Sequence, residues 1–313
     1  MPSLPQRAVS MHHDLSPTLF TSDRASLVLR RQATLTAPFE RSGSSLHSGR
    51  HATVRVCPAP ADHGIVFRRR LTDRHAVDVP ALWQYRESQP LSSALRREGI
   101  LVRTIEHLMA SLNALRIDNV LIEIDADELP IFDGSAKPWC EAICAAGRSE
   151  QAQIRRPIRM LRPVCVTQGR RHIRIEPGMG LHVTGHIALA HFGAIDWSGY
   201  ITPETFEREI APSRSFGRYM RAMAGRAFGY VTGKDFLQGV SRRSAALLVR
   251  DRVLGGMRLP GEPVRHRVLD LIGDLYLTGH PIEGRVTAHH TGHELNHALV
   301  AALMRDTAAW ELA

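Results

Sequence analysis

"RHRVLDLIGD", residues 265–274, sets His266, Asp270 and Asp274 at four-residue intervals among aliphatic side chains. On an α-helix, residues four apart lie roughly 40° from each other, so the three form one narrow stripe. Val268, Leu269, Leu271 and Ile272 occupy much of the other side, and Gly273 beside the stripe leaves room for something to approach. Imidazole nitrogen and carboxylate oxygen at this spacing can grip one divalent cation such as zinc. A solvated helix face with an ion pair is the plainer reading of the same pattern.

Around this helix the order helix–strand–helix appears twice. "PVRHRVLDLIGDLYLTG", "IEGRVTAHH" and "TGHELNHALVAALMRD" form one set. The other is "RTIEHLMASLNAL", which Thr104 can cap, then "NVLIEI" and "KPWCEAICAAG". Laying His107 over His266 brings Gly134 onto His293, so the two turns that start the second helices nearly coincide. This is a duplication of pattern rather than identity. It predicts two similar α+β halves, residues 31–150 and 151–313, joined near the polar "GRSEQAQIRRP" at 147–157. "HATVRVCPAP" and "GIVFRR" read as strands of the first half. The Gly- and aromatic-rich stretch from residue 191 to 240 reads as loops around a site, with an inserted segment near 217–240. Residues 1–30 mix Pro, Ser, His and Arg without a period and read as a loose extension.

The composition is that of a globular protein, with 43% hydrophobic and 23% charged residues. No apolar run is long enough to cross a bilayer and the N-terminus lacks a secretory core, so a cytoplasmic location is expected. The formal net charge is +9, which favours anionic partners. The densest run, "FRRR" at 67–70, lacks any accompanying nucleic-acid module, and no nucleic-acid partner is expected. Cys140 and Cys144 are four apart on one predicted helix, but nothing nearby completes a tetrahedral set, so they read as small packed side chains.

A catalytic zinc keeps three protein ligands and an open position for water. "TIEHL" supplies a candidate third ligand, His107, beside a base, Glu106, that could take a proton from that water. An ordinary first helical turn is the alternative. "HELNH" at 293–297 fits the zinc-protease pattern H-E-x-x-H, yet no further His follows and the helix continues as an apolar one. His293 at that helix start could face a cleft as a general acid or cationic partner, whereas His297 reads as a surface or packing residue.

Together "SSLHSG", "PAPADHGIVFRR", "RTIEHLMASLNALRIDNVLIEIDADELPIFDGSA", "EIAPSRSFG", "VRHRVLDLIGDLYLTG" and "TGHELNHAL" resemble the zinc-dependent UDP-3-O-acyl-N-acetylglucosamine deacetylases of lipid A synthesis. The resemblance implies two α+β domains, each a layered sheet and helix pair, with helices between the sheets and the site at the domain interface. It implies His107, His266 and Asp270 as metal ligands, for Zn²⁺ with Fe²⁺ also tolerated, and Glu106 as general base. His293 matches the histidine that stabilises the oxyanion and protonates the leaving amine, and Asp274 the carboxylate that orients it. Ser215 stands where the family usually has Thr, Phe216 matches an aromatic contact near the sugar, and Arg267 replaces a Lys near the diphosphate. His290 replaces another Lys, and "QGVSRRSAALL" and residues 217–240 depart from the family where the acyl-chain passage is built. The implied reaction converts UDP-3-O-acyl-N-acetylglucosamine to UDP-3-O-acyl-glucosamine and acetate, with the acylated UDP-sugar as partner and a monomer as the expected state. The rival readings are a deacetylase of another acylated sugar nucleotide and a catalytically silent binding or regulatory paralogue.

Overall fold

The computed structural model describes residues 30–72 and 75–313. The extension expected over residues 1–30 therefore lies, apart from Arg30, outside the described residues. Within them the chain is an α+β protein whose two halves repeat one sheet topology. In the first half the strands lie in the order Phe39–Ser44, His51–Pro58, Val120–Ile124, Ile65–Thr72, His75–Pro80. In the second, the order Val164–Gln168, Arg171–Glu176, Ile282–His289, Leu181–Leu189, Gly193–Tyr200 is built the same way. Both central strands pair antiparallel on one side and parallel on the other. The second sheet is extended by Ile158–Met160 and Trp310–Leu312.

Alternation explains why each sheet has one inner face. In His51–Pro58, Ala52, Val54 and Val56 are buried while His51 and Arg55 are exposed. The arginines of "FRRR" pair with carboxylates instead of gathering into a free patch: Arg68 with Asp78, Arg69 with Asp127 and Arg70 with Glu123. Inner residues of both sheets join helix residues such as Leu108, Leu112, Leu269, Ile272 and Leu299 in one continuous core. Helices α1 (Glu106–Ala114) and α2 (Lys137–Ala146) belong to the first half. The second holds the short α3 (Pro203–Thr205), α4 (Tyr219–Thr232), α5 (Glu262–Leu275) and α6 (His293–Arg305).

α1 and α5 pack directly on each other. A Cβ on Gly273 would lie 2.2 Å from the Glu106 carbonyl oxygen, so only glycine permits this approach. Asn113 Nδ2 donates to the Ile272 carbonyl (3.2 Å) and the Tyr276 hydroxyl donates to that of Ile117 (2.9 Å).

Three local expectations change. Thr104 does not cap α1: it adopts φ +60°, Ile105 precedes the helix, and the Thr104 hydroxyl donates to Glu128 (3.3 Å). The polar joining segment is a strand, Arg148–Ile154, paired with Arg31–Leu35. The stretch read as loops contains the 14-residue α4 and feeds a small sheet of Phe216–Arg218, Ala246–Val249 and Arg252–Val253. The first half carries a matching small sheet, Arg86–Glu87, Ala94–Arg97 and Ile100–Arg103, at the equivalent place before α1.

Candidate active site

α1 presents Glu106 and His107 in its first turn, and α5 presents His266, Asp270 and Asp274 on successive turns; all five are buried. The α1–α5 packing brings them together. His107, His266 and Asp270 each offer a ligand atom, and these atoms lie within 4.8 Å of one another. The Asp270 Oδ1 atom is 3.4 Å from His266 Nε2 and 3.9 Å from His107 Nε2. The two imidazole rings meet edge to face, 5.1 Å between centroids.

This trio suits a divalent cation. His266 Nδ1 donates to the Ser213 carbonyl (3.1 Å), which fixes its proton there and leaves the Nε2 lone pair toward Asp270. Burial pushes both His107 and His266 down to about 3, so both rings are neutral and their lone pairs available. Asp270 Oδ1 is buried and, among the described residues, has no hydrogen-bond partner. A buried carboxylate oxygen left alone between two neutral imidazoles is costly unless a cation fills the gap. Neither Cys140 nor Cys144 joins a metal-sized cluster among the described residues. The Cys140 thiol is instead buried beside Ser111, and burial pushes it up to about 12.

Glu106 and His293 flank the trio. Glu106 Oε1 lies 3.8 Å from His293 Nε2, which is 3.9 Å from Asp270 Oδ2. Burial raises Glu106 to about 8, with Asp270 adding to the rise and His293 opposing it. For His293, burial acts downward, but Asp274 and Asp270 outweigh it and hold the imidazole up at about 10, charged at neutral pH. His293 Nδ1 donates to Asp274 Oδ2 (3.0 Å). Asp274 is also buried, which acts upward, yet His297 and His293 hold it down at about 2.

Ser215 precedes the strand Phe216–Arg218, and its amide donates to the Gly134 carbonyl (2.6 Å), tying it to the first half. The Phe216 ring stands edge-on to His266 at 6.2 Å. Arg267 lies over that ring, 5.1 Å from its centroid, with Nη1 3.6 Å from Asp270 Oδ2. His290 stands apart, just past the end of the central strand Ile282–His289, with Nε2 accepting from the Ala188 amide (3.2 Å).

Three further residues enter the site. Ser93, immediately before the small-sheet strand Ala94–Arg97, donates its amide to Glu106 Oε2 (3.0 Å). Its hydroxyl contacts Asp274 Oδ1, His297 Nε2 (2.8 Å) and His293 Nδ1 (3.1 Å). Asn296 Nδ2 donates to Asp274 Oδ2 (2.8 Å). His297, expected at the surface or in packing, is buried against Asp274, its Nε2 3.6 Å from Oδ1. The i, i+3 and i+4 spacing of His293, Asn296 and His297 carried that signal in the sequence; nothing in "PLSSAL" marked Ser93. Glu294, the acid of the protease-like motif, turns outward to Arg86 and Ser88 and cannot serve a metal held by His293 and His297.

Comparisons with known proteins match nearly the whole of the described chain. A sequence profile described as UDP-3-O-acyl N-acetylglycosamine deacetylase matches residues 32–305. Relatives named UDP-3-O-acyl-N-acetylglucosamine deacetylase occur in Shewanella sp. strain ANA-3 (38% identical), Shewanella sp. strain W3-18-1 (39%) and Shewanella baltica strain OS155 (38%). Each alignment runs over 289 residues, 90% of this chain and 92% of the relative. With the match covering nearly the whole described chain, the protein belongs to the UDP-3-O-acyl-N-acetylglycosamine deacetylase family.

Proposed function

We propose that the chain hydrolyses the N-acetyl amide of UDP-3-O-acyl-N-acetylglucosamine, releasing acetate and UDP-3-O-acyl-glucosamine for lipid A synthesis. The observation that carries this reading is the meeting of His107 with His266 and Asp270 within 4.8 Å, with the Asp270 oxygen unpartnered. These residues would hold the ion, Zn²⁺ in the first instance, with Fe²⁺ compatible with the same donors. Such an ion supplies Lewis acidity toward the amide carbonyl and lowers the pKa of water.

The chain's own groups do the rest. Glu106, positioned by the Ser93 amide, takes a proton from the attacking water; a neighbouring cation favours the charged form this requires. His293, charged and aimed by Asp274, stabilises the developing oxyanion and gives its proton to the departing amine. The Ser215 hydroxyl adds a donor to the oxyanion, and Phe216 and Arg267 border the sugar nucleotide. The closeness of Arg267 to Asp270 means that it also contributes positive charge beside the ligand carboxylate.

Both halves contribute to the site from one chain, which suits a monomer with its domains at 31–150 and 151–313. Among the described residues no helix is long and apolar enough to cross a membrane. A nucleotide-linked substrate fits a cytoplasmic enzyme. The test is mass spectrometry of products from the acylated sugar nucleotide, beside elemental analysis of variants. Glu106→Ala is expected to keep its metal and lose nearly all turnover; His266→Ala is expected to lose the metal. A purified protein that binds metal but leaves the acetyl group in place overturns the reading.

A further inference from the structure

α4 turns its apolar side outward. Ala222 joins a buried cluster with Leu247 of the small sheet, while Gly225 and Gly229 rest on residues 234–238. A Cβ on Gly229 would lie 2.5 Å from the Phe236 carbonyl oxygen, and one on Gly225 would lie 2.9 Å from the Phe236 and Leu237 side chains. These small residues let the helix lie close, with Tyr219 and Met223 packed inward beside Ala222, while Met220, Phe228, Tyr230 and Val231 point away. Met220, Ala224, Ala227 and Val231 share the opposite face, with Phe228 beside them. Met220 is 75% exposed, Phe228 52%, Tyr230 82% and Val231 82%. A surface helix of a globular protein ordinarily does the reverse, and outward apolar stripes of this kind mark a surface that is covered by something.

The charges say what covers it. Arg221 and Arg226 stand on either side of the stripe, each roughly 100° around the helix from its centre. Neither pairs with a carboxylate among the described residues, and Lys234 lies 5.8 Å from the centre of the Phe228 ring. α4 itself contains no Asp or Glu. Residues 217–258 hold nine Arg or Lys against two Asp. A second copy of the chain meeting this face would set these cations against themselves, which disfavours a symmetric dimer. An apolar stripe with a cationic rim is the pattern of a helix that lies in the plane of an anionic membrane.

We propose that α4 is a peripheral membrane-docking element that seats the protein on an anionic lipid bilayer. Met220, Phe228 and Val231 enter the headgroup boundary while Arg221, Arg226 and Lys234 meet lipid phosphates. The helix follows Phe216–Arg218 without a break, so docking brings the edge of the candidate site to the membrane face.

The experiment is co-sedimentation of the full chain with phosphatidylcholine vesicles, with and without about 30% phosphatidylglycerol. Binding to the anionic vesicles alone, weakening as salt is raised, is the expected result. Met220→Glu with Val231→Glu, and separately Arg221→Gln with Arg226→Gln, are each expected to lower the partition by about tenfold or more. Unchanged circular dichroism and an unchanged thermal midpoint show that these variants are folded. Equal partition into neutral and anionic vesicles overturns the proposal. So does binding that survives the apolar pair and is lost only with the arginines, which is simple adsorption of a basic protein and would extend to nucleic acid. A lipid-free dimer in sedimentation equilibrium, dissolved by Met220→Glu with Val231→Glu, assigns the face to a second copy and also overturns it.

Discussion

α1 and α5 hold equivalent places in the two halves, but they do not carry equivalent chemistry. With His107 laid over His266, Glu106 falls on Arg265, Ser111 on Asp270 and Leu115 on Asp274. The two histidines face each other across the helix contact. The remaining positions have diverged. Ser111 bonds back to the His107 carbonyl (2.8 Å), and Leu115 is a core residue. Arg265 pairs with Glu209 (2.7 Å) and lies over the Trp197 ring, away from the cluster. The second helices diverge as well: α2 buries Trp139, Cys140 and Ile143, whereas α6 turns His293, Asn296 and His297 onto Asp274. A duplicated scaffold thus supplies a pair of facing imidazoles, and unequal substitution around them leaves a glutamate beside one and two aspartates along the helix of the other, the asymmetry on which the proposed roles of Glu106 and Asp274 rest.

The largest expected effect tests that asymmetry directly. Glu106→Gln keeps the shape of the side chain but removes its basicity, and kcat is expected to fall about 10³-fold with metal content unchanged. Arg265→Gln, at the equivalent position of α5, is expected to change kcat by less than about twofold, since its half-buried pair with Glu209 lies away from the cluster. Similar losses in both would show that the two helices share the work, and the comparison would fail.

Asp274→Asn comes next. A partner that orients a functional histidine is typically worth about 10- to 100-fold, and kcat is expected to fall in that range. The pH profile gives the sharper readout. Burial acts to lower His293, and Asp274 heads the groups that hold it up at about 10. Its charged form is present below that value and is lost as pH rises through it. Removing the Asp274 charge lowers the value, so the alkaline limb of kcat is expected to move to lower pH. An unmoved limb would separate Asp274 from His293.

How much of this was legible follows from where each residue sits. The row on α5 could be read because a helix turns a four-residue interval into a common face, and Glu106 and His107 because they open a second amphipathic helix. The repeat was visible because strand and helix periods recur in the same order, and the matching sheet topologies express it. α4 was not legible: Gly225 and Gly229 are poor helix formers, and its outward apolar stripe breaks the usual inside-out pattern. Thr104 looked like a cap by type, but Glu128 holds its hydroxyl and the backbone is left-handed there. Ser93 lies on a short strand junction with no periodicity, so only tertiary packing shows that it reaches Asp274.

Gly273→Ala addresses the helix contact that makes the comparison possible. The added methyl group would meet the Glu106 carbonyl at 2.2 Å, so α1 and α5 must separate. A loss of about 1–3 kcal/mol in stability is expected, together with weaker metal retention because His107 moves away from His266 and Asp270. Thermal denaturation and metal titration read the two effects. A variant as stable and as metal-loaded as the parent would mean that the contact is looser than its geometry implies.

Ser93→Ala is the finest test, because it separates two contacts made by one residue. The amide that holds Glu106 remains in the alanine variant, while the hydroxyl that meets Asp274, His293 and His297 is removed. Asp274 keeps its bonds from His293 and Asn296, so the site stays assembled with one buried donor fewer. A hydrogen bond to a charged group is worth about 1.5–3 kcal/mol, and partial compensation by water brings the expected fall in kcat to about tenfold. KM and metal content are expected to stay near the parent values, since the hydroxyl touches neither the metal trio nor the groups bordering the sugar. Ser93→Thr retains the hydroxyl and is expected to recover most of the loss. If alanine and threonine behave alike, the contribution of Ser93 lies in its backbone alone, and the first half supports the base on α1 without reaching the carboxylate on α5.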